Sequence, residues 1–235
     1  MTKPLRIGLA GLGTVGAGIV SIVQTNAALL EARAGRPIAL TAVSARNRNR
    51  DRGVDVSGYG WEDDPVALAR RDDVDLVIEV MGGEDGPAKA TAEEALSRGK
   101  SLVTANKAMM ARHGQALAEA AEASGAALRF EAAVAGGIPV VKALTEGLAG
   151  NAITRVMGVL NGTCNYILTQ MQAHDAPYDD VLAEAQRLGY AEADPAFDVG
   201  GIDAAQKLAL LSAIAFGTRV DFDGITVEGI ERVNL

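Results

Sequence analysis

Gly11-Leu12-Gly13-Thr14-Val15-Gly16 stands between a buried aliphatic run, Leu5–Ala10, and a helical stretch. Strand, glycine turn and helix start, in that order, make a phosphate cradle. The first glycine permits the turn, the second lets the backbone approach a pyrophosphate, and the third lets helix and strand pack closely. The helix start adds N–H groups without intrahelical acceptors and a positive dipole end. The end of the next aliphatic run selects the dinucleotide: an acid there binds the ribose 2′-OH of NAD, an arginine accommodates the 2′-phosphate of NADP. Val43-Ser44-Ala45-Arg46-Asn47-Arg48 carries no acid before Asp51. NADP is therefore favoured over NAD, with Arg46 as first partner and Arg48 as second.

Three further residues have types suited to chemistry. Asp203 and Lys207 are four apart in a helical stretch, so their side chains share one face. Lys107 follows the fourth aliphatic run, and ligand sites of open α/β sheets gather outside the carboxyl ends of strands. Cys164, the single cysteine, could act as a thiol nucleophile forming an acyl intermediate. Neither His113 nor His174 is near it in sequence, and a lone cysteine is commonly a small buried hydrophobe.

These residues need a scaffold, and the chain spells one out. Aliphatic runs at Leu5–Ala10, Ile38–Ser44, Asp75–Val80, Ser101–Ala105 and Ala127–Ala132 alternate with helical stretches near 15–33, Pro87–Ser97 and Ala108–Ser124, and with a short helix opening at Asp64-Pro65. Gly35, Gly99 and Gly125 are the expected helix stops, and Asp64-Pro65 an expected helix start. Near-continuous apolar strands separated by helices predict a parallel sheet covered on both faces. Beyond residue 135 the pattern changes. A helix from Gly136 to about Leu148, a strand at Ile153–Leu160 belonging to a different sheet, and helices near 162–173, 178–188 and 203–216 are expected. Val220–Leu235 reads as loop with one or two strand fragments. The fold class is α/β: a Rossmann-type doubly wound parallel sheet over 1–135, and a second, incomplete α/β substrate domain over 136–235. Arg46–Arg52 reads as a charged loop in solvent.

Composition narrows the classes. The 235 residues carry 22 basic and 30 acidic side chains, a formal charge of −8, which argues against coating nucleic acid or an anionic membrane. One cysteine excludes an intramolecular disulfide framework, and two histidines disfavour a histidine-rich zinc site. The N-terminus has no signal-peptide layout, and no apolar run reaches the roughly 20 residues of a membrane span. A cytoplasmic location is expected.

Five ordered segments resemble homoserine dehydrogenase, the family interconverting aspartate 4-semialdehyde and homoserine in threonine and methionine biosynthesis. They are Gly11–Gly16, Thr104-Ala105-Asn106-Lys107, Glu131–Pro139, Asn161-Gly162-Thr163-Cys164-Asn165-Tyr166, and Leu188–Leu210. The resemblance implies an NAD(P)-dependent oxidoreductase working by direct hydride transfer, with Lys207 as proton donor and Asp203 as a catalytic and substrate contact. It places Lys107 where nicotinamide meets substrate, Glu192 at the substrate's α-ammonium group, Asp198 near the pocket and Gly189 at the cofactor. It also implies a sodium ion on Glu131, Val134, Gly136 and Ile138, and a homodimer formed through the substrate domain. Gly200 and Gln206 stand where members often carry more polar or basic residues. Members usually continue beyond the position of Leu235, so an inactive nucleotide-binding fragment is one alternative expectation. A semialdehyde dehydrogenase using Cys164 is another.

Overall fold

The computed structural model describes residues 2–234. The backbone forms two compact units, Met1–Lys142 and Ala143–Leu235.

In the first unit the apolar runs become strands because both of their faces are covered. Strands β1 (Leu5–Ala10), β2 (Ile38–Ser44), β4 (Leu76–Glu79) and β5 (Ser101–Thr104) are joined by two short ones, β3 (Gly60–Glu62) and β6 (Leu128–Arg129). All pairings are parallel, in the order β3-β2-β1-β4-β5-β6. The order reverses between β1 and β4, and the crevice above their carboxyl ends is where such sheets bind ligands. Ile7, Leu9, Leu12, Val20, Leu40 and Val43 form one buried cluster. Helices α3 (Pro65–Arg70), α4 (Pro87–Ser97) and α5 (Lys107–Ser124) cover further sheet surface. Asp64 caps α3 through its carboxylate, which accepts from Val66 N at 3.0 Å, with Pro65 at the first helical position.

The expected single helix of 15–33 is two helices, α1 (Thr14–Thr25) and α2 (Ala27–Ala34), bent by 82° at Asn26. Only α1 contributes buried residues, Gly16 and Val20. No residue of α2 is buried, so packing against the sheet holds α1 in line and places no such demand on α2. Gly35 stops α2 at φ 70°, as its position suggests. The strand expected over Ala127–Ala132 is only Leu128–Arg129, because its second half turns into the helical turn α6 (Glu131–Val134). The Glu131 carboxylate then accepts the N–H groups of Val141 (2.8 Å) and Lys142 (2.9 Å) at α7 (Val140–Lys142). No single helix among the described residues is long and apolar enough to cross a membrane.

The second unit begins with a π-helical turn, Ala143–Gly147. It is otherwise built on α8 (Gly162–His174), α9 (Tyr178–Arg187), the short α10 (Ala196–Val199) and α11 (Ile202–Phe216). Ile167, Met171, Val181, Ala185, Ala191 and Val199 make its buried cluster. Ile153–Leu160, expected as a strand, pairs with no strand among the described residues. The segment has the side-chain pattern but no ladder partner, and Met157 and Val159 are 79% and 74% exposed. The strand fragments expected in Val220–Leu235 do not form either. Turns and unpaired chain run to Asn234, and Leu235 lies outside the described residues. Ile230 anchors this tail, its N–H bonding Val199 O at 2.9 Å and its side chain packing on the buried cluster.

Candidate active site

A cleft of about 1000 Å³ opens at the sheet's switch point, lined by residues of the first unit. Its floor is the glycine turn after β1. Gly11 takes φ +104°, and a Cβ there would lie 2.7 Å from the Val80 carbonyl. A Cβ on Gly16 would lie 2.0 Å from the Gly11 carbonyl, whereas one on Gly13 meets nothing within 4 Å. Turn, close packing and open approach are thus divided among Gly11, Gly16 and Gly13, matching the fingerprint's physical logic. The first intrahelical bond of α1 is Ala17 N to Gly13 O, which leaves the N–H groups of Thr14, Val15 and Gly16 ahead of the ladder. Gly13 caps the helix with no side chain. Leu12 is buried beneath the cleft, while Thr14 and Val15 are exposed.

The far wall comes from the loops after β2 and β4. Ser44, Ala45, Arg46, Asn47, Arg50 and Arg52 line it on one side, Val80–Gly83 on the other. The Arg46–Arg52 stretch is therefore more than a solvated loop, because three of its arginines border the cleft. Asp51 does not line it, and its carboxylate accepts from Gly53 N at 2.9 Å instead.

Sequence reasoning missed Glu79, the last residue of β4 and fully buried. One carboxylate oxygen accepts from Met81 N (2.7 Å) and Gly82 N (3.3 Å), and the other from the Thr104 hydroxyl (2.6 Å). Thr104 Oγ1 in turn accepts from Asn106 N at 3.0 Å. Asn106 donates to Gly83 O at 2.6 Å and caps α5 by accepting from Met109 N at 3.1 Å. This chain of bonds ties the loop after β4 to the start of α5, where half-buried Lys107 is the first residue. An acid inside the run Leu76-Val77-Ile78-Glu79-Val80 was the available signal: a carboxylate in a buried strand must have dedicated donors.

The second unit gathers a polar cluster. Asn161, the N-cap of α8, donates from Nδ2 to Asp198 Oδ1 and to Asp203 Oδ2, both at 2.9 Å. Its Oδ1 accepts from Cys164 N at 2.8 Å. The Thr163 hydroxyl lies 3.1 Å from Asp198 Oδ2 and 3.0 Å from Tyr190 O. Asp203 is buried, and Lys207 Nζ donates to it at 2.7 Å and to Leu160 O at 2.8 Å. The expected i,i+4 pair is thus present, and Asp198 joins it through Asn161. Glu192 lies outside that network of side chains: it is exposed, in the chain between α9 and α10, and its carbonyl accepts from Gln186 Nε2 at 3.0 Å. Gly189 follows α9 at φ +78°. The Cys164 thiol donates to Asp198 O at 3.2 Å. Burial first, then the charges of Asp198 and Asp203, push its pKa up, so the nucleophilic thiolate is disfavoured.

Of the cation ligands the resemblance implies, Glu131 is occupied by the two α7 N–H groups, and the Ile138 carbonyl accepts from Val140 N at 2.8 Å. Val134 closes α6, and Gly136 lies in the following turn. Among the described residues no group of three or more His, Cys, Asp or Glu side chains is arranged to hold a metal ion.

A glycine-floored cleft at the switch point of a 3-2-1-4-5-6 parallel sheet defines a dinucleotide-binding α/β protein. The chain belongs to the homoserine dehydrogenase family. Residues 11–131 match the family described as homoserine dehydrogenase, NAD binding domain, and residues 139–235 the family described as homoserine dehydrogenase. The homoserine dehydrogenase of Neisseria gonorrhoeae is 45% identical over 99% of this chain and 53% of its own length. The crystal structure of a homoserine dehydrogenase from Thiobacillus denitrificans superposes with a TM-score of 0.92 at 46% identity, covering 99% of this chain and 53% of that one. A hyperthermophilic archaeal homoserine dehydrogenase in complex with NADPH matches at TM-score 0.82 and 25% identity, over 99% of this chain and 75% of that one. The chain spans about half the length of the curated relatives it matches.

Proposed function

We propose that the protein carries out the NAD(P)H-dependent reduction of L-aspartate 4-semialdehyde to L-homoserine, with residues 1–135 serving the dinucleotide and residues 136–235 the substrate. The observation that carries this reading is Lys207, held between the Asp203 carboxylate and the Leu160 carbonyl in a chain that also builds a dinucleotide cleft. The cleft fits a dinucleotide: Gly13 leaves room for a pyrophosphate against the backbone, and Arg46, lining the cleft just after β2, supports NADP because an arginine there accommodates a 2′-phosphate. When bound, the reduced nicotinamide supplies the hydride. As the carbonyl carbon is reduced, negative charge builds on oxygen. Lys207 has three N–H donors, two of them directed at Asp203 and Leu160, and it transfers the proton of the third to the alkoxide. Solvent then restores the ammonium. Lys107, at the carboxyl end of β5, polarises the carbonyl, while Glu192, Asp203 and Asp198 supply negative charge for the substrate's α-ammonium group. Gly189, left-handed at φ +78° just after α9, is assigned to the cofactor by the family resemblance.

Oxygen donors from Glu131, Val134, Gly136 and Ile138 suit an alkali cation in kind; with Glu131 and the Ile138 carbonyl already accepting backbone N–H groups, a cation would have to share those oxygens, and it would stiffen the loop before α7. A melting temperature that rises in sodium but not in choline chloride supports it, and equal melting in both salts removes it. A homodimer in the cytoplasm completes the reading, with oligomeric state read by light scattering.

The test is NADPH oxidation with aspartate 4-semialdehyde, for the chain and for Lys207→Ala and Lys207→Arg, with melting curves run alongside. Loss of a positioned proton donor lowers kcat about 10²–10⁴-fold; wild-type turnover in folded Lys207→Ala overturns the role. A second reading, nucleotide binding without turnover, is favoured by one observation. The cleft is complete within the first unit, whereas 153–160 has no ladder partner. Tight NADPH binding with no turnover by the wild-type chain establishes that alternative.

A further inference from the structure

The cleft's arginine wall contains a device that the cofactor reading does not use. Arginines occupy positions 46, 48, 50 and 52 of a chain whose formal charge is −8. Three are exposed and only Arg52 is half-buried. Arg52 borders the cleft, yet three of its five N–H donors are turned to backbone carbonyls. Its Nε donates to Leu12 O at 3.2 Å, in the glycine turn, and its Nη1 to Arg50 O at 2.6 Å. Its Nη2 donates to Asn47 O. The guanidinium carbon also lies 5.6 Å from the centre of the Trp61 ring on β3, and that of Arg48 lies 5.7 Å from it. One planar group thus joins the pyrophosphate turn, both ends of the arginine loop and the neighbouring strand.

We propose that Arg52 is a positioning residue. It fixes the loop that carries Arg46 and Arg50, and through them sets the preference for a dinucleotide bearing a phosphate monoester on its adenosine ribose. The inference rests on the NADP reading above. The loop has no regular structure and its arginines are long and exposed, so an untethered loop must lose backbone and rotamer freedom when it closes on a phosphate. Arg52 removes much of that cost beforehand. The staple requires a guanidinium, because a lysine has one compact ammonium and can neither reach three carbonyls in a plane nor stack on indole. Asp51 is turned into the loop by its bond to Gly53 N, and Asp63, which also lines the cleft, accepts from Trp61 Nε1 at 2.9 Å, so three arginines face one engaged carboxylate there.

The experiment is a binding titration of the full chain with NADPH and with NADH, in the wild type and in Arg46→Ala, Arg52→Lys, Arg52→Gln and Trp61→Leu, with melting curves for each. A wild-type preference for NADPH that Arg46→Ala abolishes supports the underlying reading. The positioning role then predicts that both Arg52 variants lose roughly 5–20-fold of the NADPH:NADH affinity ratio while NADH binding changes far less, as for a lost preorganisation term. Trp61→Leu, which removes the ring and its bond to Asp63 but leaves the three Arg52 hydrogen bonds, shifts the ratio in the same direction by less. Adding Arg52→Gln to Arg46→Ala lowers the ratio no further. If both Arg52 variants weaken NADPH and NADH equally, or leave the ratio unchanged, Arg52 is a structural residue only and the proposal is overturned while the NADP reading stands. A wild type without preference, or an Arg46→Ala variant that keeps it, overturns the NADP reading and the proposal together. Should Arg52→Gln fail to fold, Arg52→Lys and Trp61→Leu carry the same comparison.

Discussion

Gly13→Ala and Gly16→Ala place the same methyl group three residues apart and should fail in opposite ways. Gly13 has φ −77° and ψ −160°, a conformation open to alanine, and its added Cβ meets nothing within 4 Å. Alanine stabilises a compatible site by about 0.4–1 kcal/mol through the unfolded chain. As an N-cap it loses a comparable amount, roughly 0.5–1 kcal/mol, relative to glycine. The two nearly cancel, so the melting temperature without cofactor should move by less than about 4 °C. The methyl instead occupies the approach of the pyrophosphate. Losing one charge-assisted hydrogen bond of about 1.5–3 kcal/mol weakens cofactor binding roughly 10–100-fold. At Gly16 the Cβ would sit 2.0 Å from the Gly11 carbonyl, far inside the 3.4 Å where ordinary contact begins. The Cβ position is fixed by the helix backbone and the oxygen belongs to the turn backbone, so relief requires moving α1 off β1. Overpacking of this kind costs about 1–3 kcal/mol or more, and melting falls by roughly 2–12 °C or more. Thermal melts without ligand and NADPH titrations on the same preparations decide the matter. Gly13→Ala melting as early as Gly16→Ala, or binding NADPH as tightly as wild type, would refute the division of roles.

Three further outcomes follow from other parts of the molecule. Arg6 holds Asp75 by a 2.6 Å ion pair and by its backbone N–H, which brings the Asp75 pKa down to about 2. The folded pKa is depressed, so the stabilisation is complete above the ordinary carboxylate range near 4 and is lost as pH falls toward 2. Discounted for partial exposure it amounts to about 1–2 kcal/mol, and Asp75→Asn should flatten the acid limb of a melting-temperature profile; an unchanged limb argues against it. Glu79→Gln keeps the shape but turns an amide donor toward either the Met81 and Gly82 N–H groups or the Thr104 hydroxyl. That mismatch costs about 1–3 kcal/mol, with melting lower by roughly 2–10 °C and NADPH binding weakened because Met81–Gly83 line the cleft; wild-type values for both would dismiss Glu79 as an organising group. Cys164→Ser should retain wild-type turnover, measured with aspartate 4-semialdehyde, since its thiol is held protonated by burial; loss of turnover in a folded variant would reinstate thiol chemistry.

What the sequence makes legible is what leaves a side-chain pattern. β1, β2, β4 and β5 are near-continuous apolar runs, because a strand covered on both faces has no polar side to alternate with. β3 escapes such reading: Gly60-Trp61-Glu62 is three residues long, at the sheet's edge, and exists because β2 offers it a ladder. Ile153–Leu160 is the converse case, with an apolar pattern and no ladder. Strand formation is a property of two segments, and a single segment records only one of them.

The same distinction separates the site residues. Gly11, Gly13 and Gly16 act through their missing Cβ atoms, so identity and spacing announce them. Arg46 is legible from its place after β2, and Asp203 with Lys207 from helical periodicity. Glu79 and Arg52 act by tying their own loops to other segments: Glu79 accepts from the Thr104 hydroxyl 25 positions away, and Arg52 reaches the Leu12 carbonyl 40 positions away. Neither spacing nor local composition encodes that reach. Its trace is indirect: an acid in an apolar strand, and one half-buried arginine among exposed ones. Each is a polar group at a depth it can occupy only with its hydrogen bonds made. In this protein those bonds run to the loops that form the cleft, so the residues the pattern hides are the ones that hold the legible residues in place.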